Sequence, residues 1–151
     1  LRIEFDSKRL EKKLVKILKS RAEKYKRLRA RIAWYLWKIV SENRREFSTV
    51  KPYVELLLKQ PYQPSIYHHI ERIIRECFQD KPETCVKWYR ELLEKALEAG
   101  CEFVSLSPDG FSDRTLKALG KNLHKKDICK VYDLLKEYPQ VLVGYNFFFK
   151  Y

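Results

Sequence analysis

The amino-acid sequence predicts an all-α protein. It reads as a bundle of six to eight helices that opens on a long basic helix or helix pair and closes on a short aromatic helix. Three observations carry this. Gly occurs 4 times and Pro 6 times in 151 residues, too few turn formers for a fold of many short strands. Charged types make up 34% and apolar types 45%, which suits solvated helix faces over a real core. Apolar residues also recur at steps of three and four along most of the chain, the period of a helix with one buried face.

The elements follow in order. Ser7 caps a first helix whose apolar face is Leu10, Leu14, Ile17 and Leu18. Ser20-Arg21-Ala22-Glu23 has the spacing of a capping box. The apolar series continues through Tyr25, Leu28, Ile32, Tyr35, Leu36 and Ile39. Either one helix runs from about residue 8 to 45, roughly 50 Å long, or two helices meet near Ser20. Trp34 and Trp37 widen the stripe and are expected in the core.

Phe47 to Lys51 reads as a connector, and Pro52 as the first residue of a short helix closed by Pro61 and Pro64. Ser65 caps the next helix, which carries Ile66, Ile70, Ile73, Ile74 and Cys77 on one face. Lys81-Pro82-Glu83 turns the chain into a helix with Val86, Tyr89, Leu92, Leu93, Ala96 and Leu97 at helical spacing, stopped at Gly100. Cys101 to Gly110 is the main irregular segment. Ser112 and then Asp127 cap two further helices, the second ending by Pro139.

Beyond Pro139, Val141, Leu142, Tyr145, Phe148 and Phe149 fall at i, i+1, i+4, i+7 and i+8. That is one helical face, so the aromatic cluster is expected to be a terminal helix acting as a packing lid. A strand there would need a partner, and the spacing offers no other convincing strand. Residues 1–51 read as a basic helical segment packed on a bundle of 52–151, the whole being one integrated domain. Met is absent, so the chain is expected to be a domain excised from a longer protein.

Several classes of chemistry find no support. No apolar run approaches the 18 residues of a membrane span, and residues 1–20 alternate charge with Leu rather than forming a signal peptide. Cys77, Cys85, Cys101 and Cys129 make no C-x-x-C pair. A chain of this size needs no disulfide staples, so a reducing compartment, cytosol or nucleus, is expected. His68 and His69 are adjacent and point about 100° apart on a helix, unlike an i, i+4 metal pair. Glu102, Asp109, Asp113 and Arg114 are expected to cap and end helices. No phosphate loop, nucleophile elbow or H-E-x-x-H motif occurs. Neither an enzyme nor a metal or cofactor is expected.

Charge is the strongest bulk signal. The net charge is +12. Residues 1–51 contain 17 Lys or Arg against 6 Asp or Glu, and the remaining 100 residues contain 15 against 14. Lys12, Lys16, Lys19, Lys26, Arg27, Arg29 and Arg31 are candidates for a stripe that contacts phosphates. The plainer reading is a solvated face that complements an acidic protein.

Two separated stretches share a further pattern. Phe78, Asp80 and Pro82 mark a helix end and turn, and Tyr89, Leu92 and Leu93 follow on the next helix. Tyr138, Pro139, Leu142, Gly144, Tyr145, Asn146 and Phe148 form the second group. From about Ser65 to Phe149 the chain resembles the paired amphipathic helix domain of transcriptional corepressor scaffolds. It departs from that family in the long link Glu94–Asp127 and in its Phe-Phe-Phe-Lys ending.

The resemblance implies a non-enzymatic nuclear scaffold, with an apolar cleft that takes a partner's amphipathic helix. The cleft walls would be Ile70, Ile73, Ile74 and Phe78 on one side, and Val86, Tyr89 and Leu93 on the other. Plain core packing is the alternative for each of the seven. Two other functions remain: nucleic-acid binding through the basic N-terminal helices, or a structural helical subunit of a larger complex.

Overall fold

A computed structural model describes residues 7–121 and 123–147. The fold is mostly helical, with seven α-helices among the described residues and one small parallel sheet. The order is α1 (Ser7–Lys19), α2 (Lys26–Glu42), α3 (Phe47–Leu58), α4 (Pro64–Cys77), α5 (Pro82–Glu98), β1 (Phe103–Asp109), α6 (Asp113–Ala118), α7 (Lys125–Leu135) and β2 (Leu142–Phe147). The chain divides into two compact units, Leu1–Ile70 and Glu71–Tyr151.

In the first unit the basic stretch is two helices. Residues 20–22 are irregular, Glu23–Tyr25 form a single 3-10 turn, and α2 restarts at Lys26. The Ser20 side chain contributes only locally, its Oγ accepting from the Ala22 N–H at 3.2 Å. A break leaves helix-terminal carbonyls without partners, and buried side chains supply them. Arg29 is 5% exposed; its Nη1 donates to the carbonyls of Ser20 at 2.7 Å and Ala22 at 3.2 Å. Buried Gln60 donates from Nε2 to the Leu18 carbonyl at 2.6 Å. Gln63 Nε2 reaches the Lys26 carbonyl at 3.3 Å and Ser65 Oγ at 2.9 Å.

Both α1 and α2 pack on α3. The inward face of α2 is Arg29, Ala33, Leu36 and Val40. Of the apolar series expected on this helix, Leu36 is buried, while Leu28, Tyr35 and Ile39 are exposed. Two properties rotate the face. Ala33 and Val40 are small enough to let helix axes approach, and Arg29 is drawn in by the carbonyls at the break. Trp34, expected in the core, is 39% exposed.

The connector expected at Phe47–Lys51 is the first part of α3, so Pro52 lies inside that helix rather than opening it. Its ring faces solvent, where the lost backbone donor is least costly. Phe47, Val50, Val54, Leu57 and Leu58 line its buried face.

In the second unit α5 begins with Pro82 in its first turn and ends at Gly100, whose φ of 90° takes the left-handed conformation of a helix stop. Trp88 is fully buried, and Cys85, Leu92 and Leu93 lie on the same helix beside it. The α5–α7 contact is tied at its edge by a two-pronged Arg90–Glu137 pair, one bond being Nη2 to Oε1 at 2.9 Å. The Tyr138 hydroxyl donates to Glu94 at 2.8 Å. Asp127 is not the cap of α7 but its third residue. It accepts from the His124 N–H at 2.8 Å, and His124 is the capping residue of a reciprocal box.

The sheet corrects the strictly all-α expectation and the expected C-terminal helix. β1 occupies the segment expected to be irregular, and β2 begins where the terminal helix was expected. They pair in parallel, with Phe103 opposite Leu142 and Leu106 opposite Tyr145. Along β1, Val104 and Leu106 are half-buried while Phe103, Ser105 and Ser107 are exposed. That alternation has period two, the signature of a strand. Asn146 Nδ2 donates to Ser105 Oγ at 3.2 Å and Ser107 Oγ at 3.0 Å, locking the register from the exposed face. The Phe103 ring covers Gly144, where a built Cβ would come within 2.8 Å of it. Phe148, Phe149 and Lys150, which completed the expected helical pattern, lie outside the described residues.

Replacing Arg29 with Ala strands the Ser20 carbonyl and leaves the Ala22 carbonyl only the Tyr25 N–H, and is expected to destabilise the protein by about 2–3 kcal/mol. Gln60→Ala should lose about 1–2 kcal/mol for one bond. Urea denaturation followed by circular dichroism measures both. A loss under about 0.5 kcal/mol for Arg29→Ala, the range of an ordinary surface change, would contradict its role in holding the break.

Candidate nucleic-acid interface

Three of the candidate cations, Lys12, Lys16 and Lys19, share one face of α1. They follow one another at i, i+4 and i+7, and all three are exposed. On α2, Lys26, Arg27 and Arg31 are exposed. Arg29 is the exception, turned inward onto the carbonyls of Ser20 and Ala22. Two cations on α2 are compensated, Lys26 by Glu23 at 3.0 Å and Lys38 by Glu42 at 3.5 Å. Lys12, Lys16, Lys19, Arg27 and Arg31 make no ion pair with a described residue.

The outward face of α2 carries more than charge. Arg27, Arg31 and Lys38 lie opposite the buried Arg29–Ala33–Leu36–Val40 line, within roughly 40° of one another on a helix of 3.6 residues per turn. Trp34 flanks this row on one side and Tyr35 on the other. They are 39% and 56% exposed, and their rings meet edge to face at 4.8 Å between centroids. One signal in the chain marks this placement: Trp34 sits five residues after Arg29 and cannot share its face. The signal has meaning only because Arg29, and not Leu28, points inward.

Next to this row is a cleft of about 560 Å³, lined by Glu23, Lys24, Lys26, Arg27, Ala30, Gln63 and Ser65. It lies at the α1–α2 break. Its walls hold three cations against one carboxylate, so it suits an anionic group better than an apolar one.

The residues expected to wall an apolar cleft are placed differently. Ile70, Ile73, Ile74, Phe78 and Leu93 are buried, and Val86 and Tyr89 are half-buried. In the second unit, α5 lies close enough to the end of α4 for Cys77 to act on Cys85 and Glu71 on Tyr89. Burial pushes the Cys85 thiol up to about 12, with Cys77 and Asp80 adding to the effect. Burial also raises the Tyr89 phenol, with smaller contributions from Glu71, Tyr145 and Cys101. Both side chains thus sit in an apolar, largely water-free surrounding.

At the surface, the Arg90 guanidinium bonded to Glu137 holds that carboxyl below its usual range. Cys77, Cys85, Cys101 and Cys129 form no disulfide. Among the described residues no three His, Cys, Asp or Glu side chains gather to hold a metal ion, and no helix is long and apolar enough to cross a membrane. His69 stacks near Trp37, with ring centroids 6.3 Å apart.

No family model, curated protein or solved structure matches the chain. The resemblance to paired amphipathic helix domains therefore rests on its residues alone.

Cys85 supplies a test of this burial. At pH 8 its thiolate fraction is about a thousandfold below that of an ordinary thiol, so a thiol reagent should modify Cys101 and Cys129 first and Cys85 only on unfolding. The unfolded thiol ionises near 9 while the folded one keeps its proton up to about 12. The unfolded state thus binds fewer protons in that window, and stability should fall as pH rises from about 9 to about 12. Thermal melts of the protein and of Cys85→Ala across that range should show a shallower decline in the variant.

Proposed function

We propose that the chain is a non-enzymatic interaction module that binds nucleic acid through the exposed basic faces of α1 and α2. One observation carries this reading: five exposed cations, Lys12, Lys16, Lys19, Arg27 and Arg31, have no ion-pair partner among the described residues. A face that only kept the protein soluble would serve equally well with mixed signs, as the second unit does. Rows of cations on helices suit the regular charge of a phosphate backbone, whose condensed counterions are released on binding. Arginine adds a planar fork that grips a phosphate through two bonds. Nothing in the arrangement resembles a base-reading helix or ribbon, so recognition is weak in sequence and strong in charge. Cysteines without disulfides and the phosphate chemistry suit a reducing compartment, and a nuclear one is the favoured setting.

The scaffold reading takes a partner's amphipathic helix between the faces carried by Ile73, Ile74, Phe78 and Leu93. Those side chains are buried, so an incoming helix would first have to expose them. Docking against an acidic protein uses the same α1 and α2 surfaces as nucleic acid and differs from it in the salt response.

Binding to a labelled duplex, measured by fluorescence anisotropy across a salt series, tests the proposal. The logarithm of the association constant should fall linearly with the logarithm of salt concentration. Replacing Lys12, Lys16 and Lys19 together by Ala should reduce that slope by about 2–3, near 0.9 for each lost phosphate contact. Binding indifferent to salt and to the triple replacement would overturn the proposal.

A further inference from the structure

Exposed aromatic rings within a row of cations make a different surface from cations alone. Trp34 and Tyr35 sit side by side on the outward face of α2, between Arg31 and Lys38 in the chain. Neither ring is needed to close the core, whose α2 contribution is Arg29, Ala33, Leu36 and Val40. Leaving a large ring half in water forgoes the burial that favours folding. Two such rings, meeting edge to face, form an apolar patch that keeps part of its surface in water.

The cations define what can lie there. Arg27, Arg31 and Lys38 span about 16 Å along the helix. A partner helix seated on Tyr35 and its apolar neighbours Leu28 and Ile39 would crowd this row. It would strip water from Arg31, which has no ion-pair partner among the described residues, at a large desolvation penalty. A phosphate backbone instead neutralises Arg27 and Arg31, and competes with Glu42 for Lys38, while its bases reach the rings. In a duplex the base faces are already stacked on one another, and the rings would stay idle. In a single strand each base offers a face to an aromatic side chain.

We propose that this face of α2 binds single-stranded nucleic acid, with bases stacked on Trp34 and Tyr35 and the backbone held by Arg27, Arg31 and Lys38. The adjoining cleft, with Lys24 and Arg27 on its wall, takes a phosphate of the same strand. This rests on the nucleic-acid reading above and specifies its substrate class.

The test uses the full chain and two probes, a fluorescently labelled oligothymidylate and a duplex of equal length, at about 50 mM and 200 mM salt. The single strand should bind more tightly than the duplex. Trp34→Ala and Tyr35→Ala should each weaken single-strand binding about tenfold or more, with duplex binding and the salt slope unchanged. Trp34→Phe and Tyr35→Phe keep a ring and should retain most of the affinity. Both positions are exposed, so unchanged thermal melts of the variants will show that folding is intact.

Equal binding of both probes, with no effect of the Ala variants, overturns the single-strand proposal and leaves the basic-surface reading standing. Failure of both probes to bind at low salt overturns both. Displacement of the oligonucleotide by polyglutamate at equal charge concentration would assign the surface to acidic proteins instead.

Discussion

The break between α1 and α2 sets the geometry of the first unit. A helix ending at Lys19 leaves its last carbonyls facing the interior, where water is scarce and an unpaired acceptor is expensive. Gln60 answers at the Leu18 carbonyl from the end of α3, Arg29 holds the Ser20 and Ala22 carbonyls from one turn into the next helix, and Gln63 reaches the Lys26 carbonyl at the start of α2. Local and distant sequence are thereby joined at one place. Leu18 packs fully buried beside the carbonyl that Gln60 holds. Once Arg29 is fixed inward, the orientation of α2 follows, since each residue on a helix is turned about 100° from the last.

That orientation links packing to function. With Arg29 inside, Arg27, Arg31 and Lys38 are outside, and the Trp34–Tyr35 pair goes with them. The same turn that closes the core presents the cationic row. Charge and aromatic surface on α2 are therefore not separate acquisitions. Both follow from a helix phase chosen by buried polar contacts, with Ala33 giving the close approach to neighbouring helices. Helical propensity alone would have been satisfied by several phases.

Helices were legible where cap, proline and apolar period agree, as in α5, and misplaced where one signal stood alone, as with Pro52 inside α3. Pro82, Gly100 and the Ser112 cap fall at helix ends, while the apolar period across Ser20 left one long helix and two helices equally open. The phase of α2 was not legible, because Leu28, Tyr35 and Ile39 make an apolar series as regular as the buried one. Only the carbonyls at the break, a tertiary feature, decide between them. The sheet was hidden for another reason. Val141-Leu142 and Tyr145 satisfy helical spacing, and the β1 segment is short and rich in serine. Parallel strands announce themselves to each other across a long separation and leave no hairpin turn to read. Of the candidate cations, six were placed on the surface as their solvation demands. Arg29 was the one whose fork found its partners inside.

Pairing Phe103 with Leu142 has a consequence for how the second unit assembles. No turn brings these strands together, so their contact must wait until α6 and α7 have shortened the path between them. Loop-closure entropy therefore falls on the last step rather than the first. During synthesis β1 leaves the ribosome before its partner does, and it spends that interval with its ladder groups open. The polar residues Ser105 and Ser107 on its outer face suit such a wait: they keep an unpaired strand in water until Asn146 arrives to fasten it.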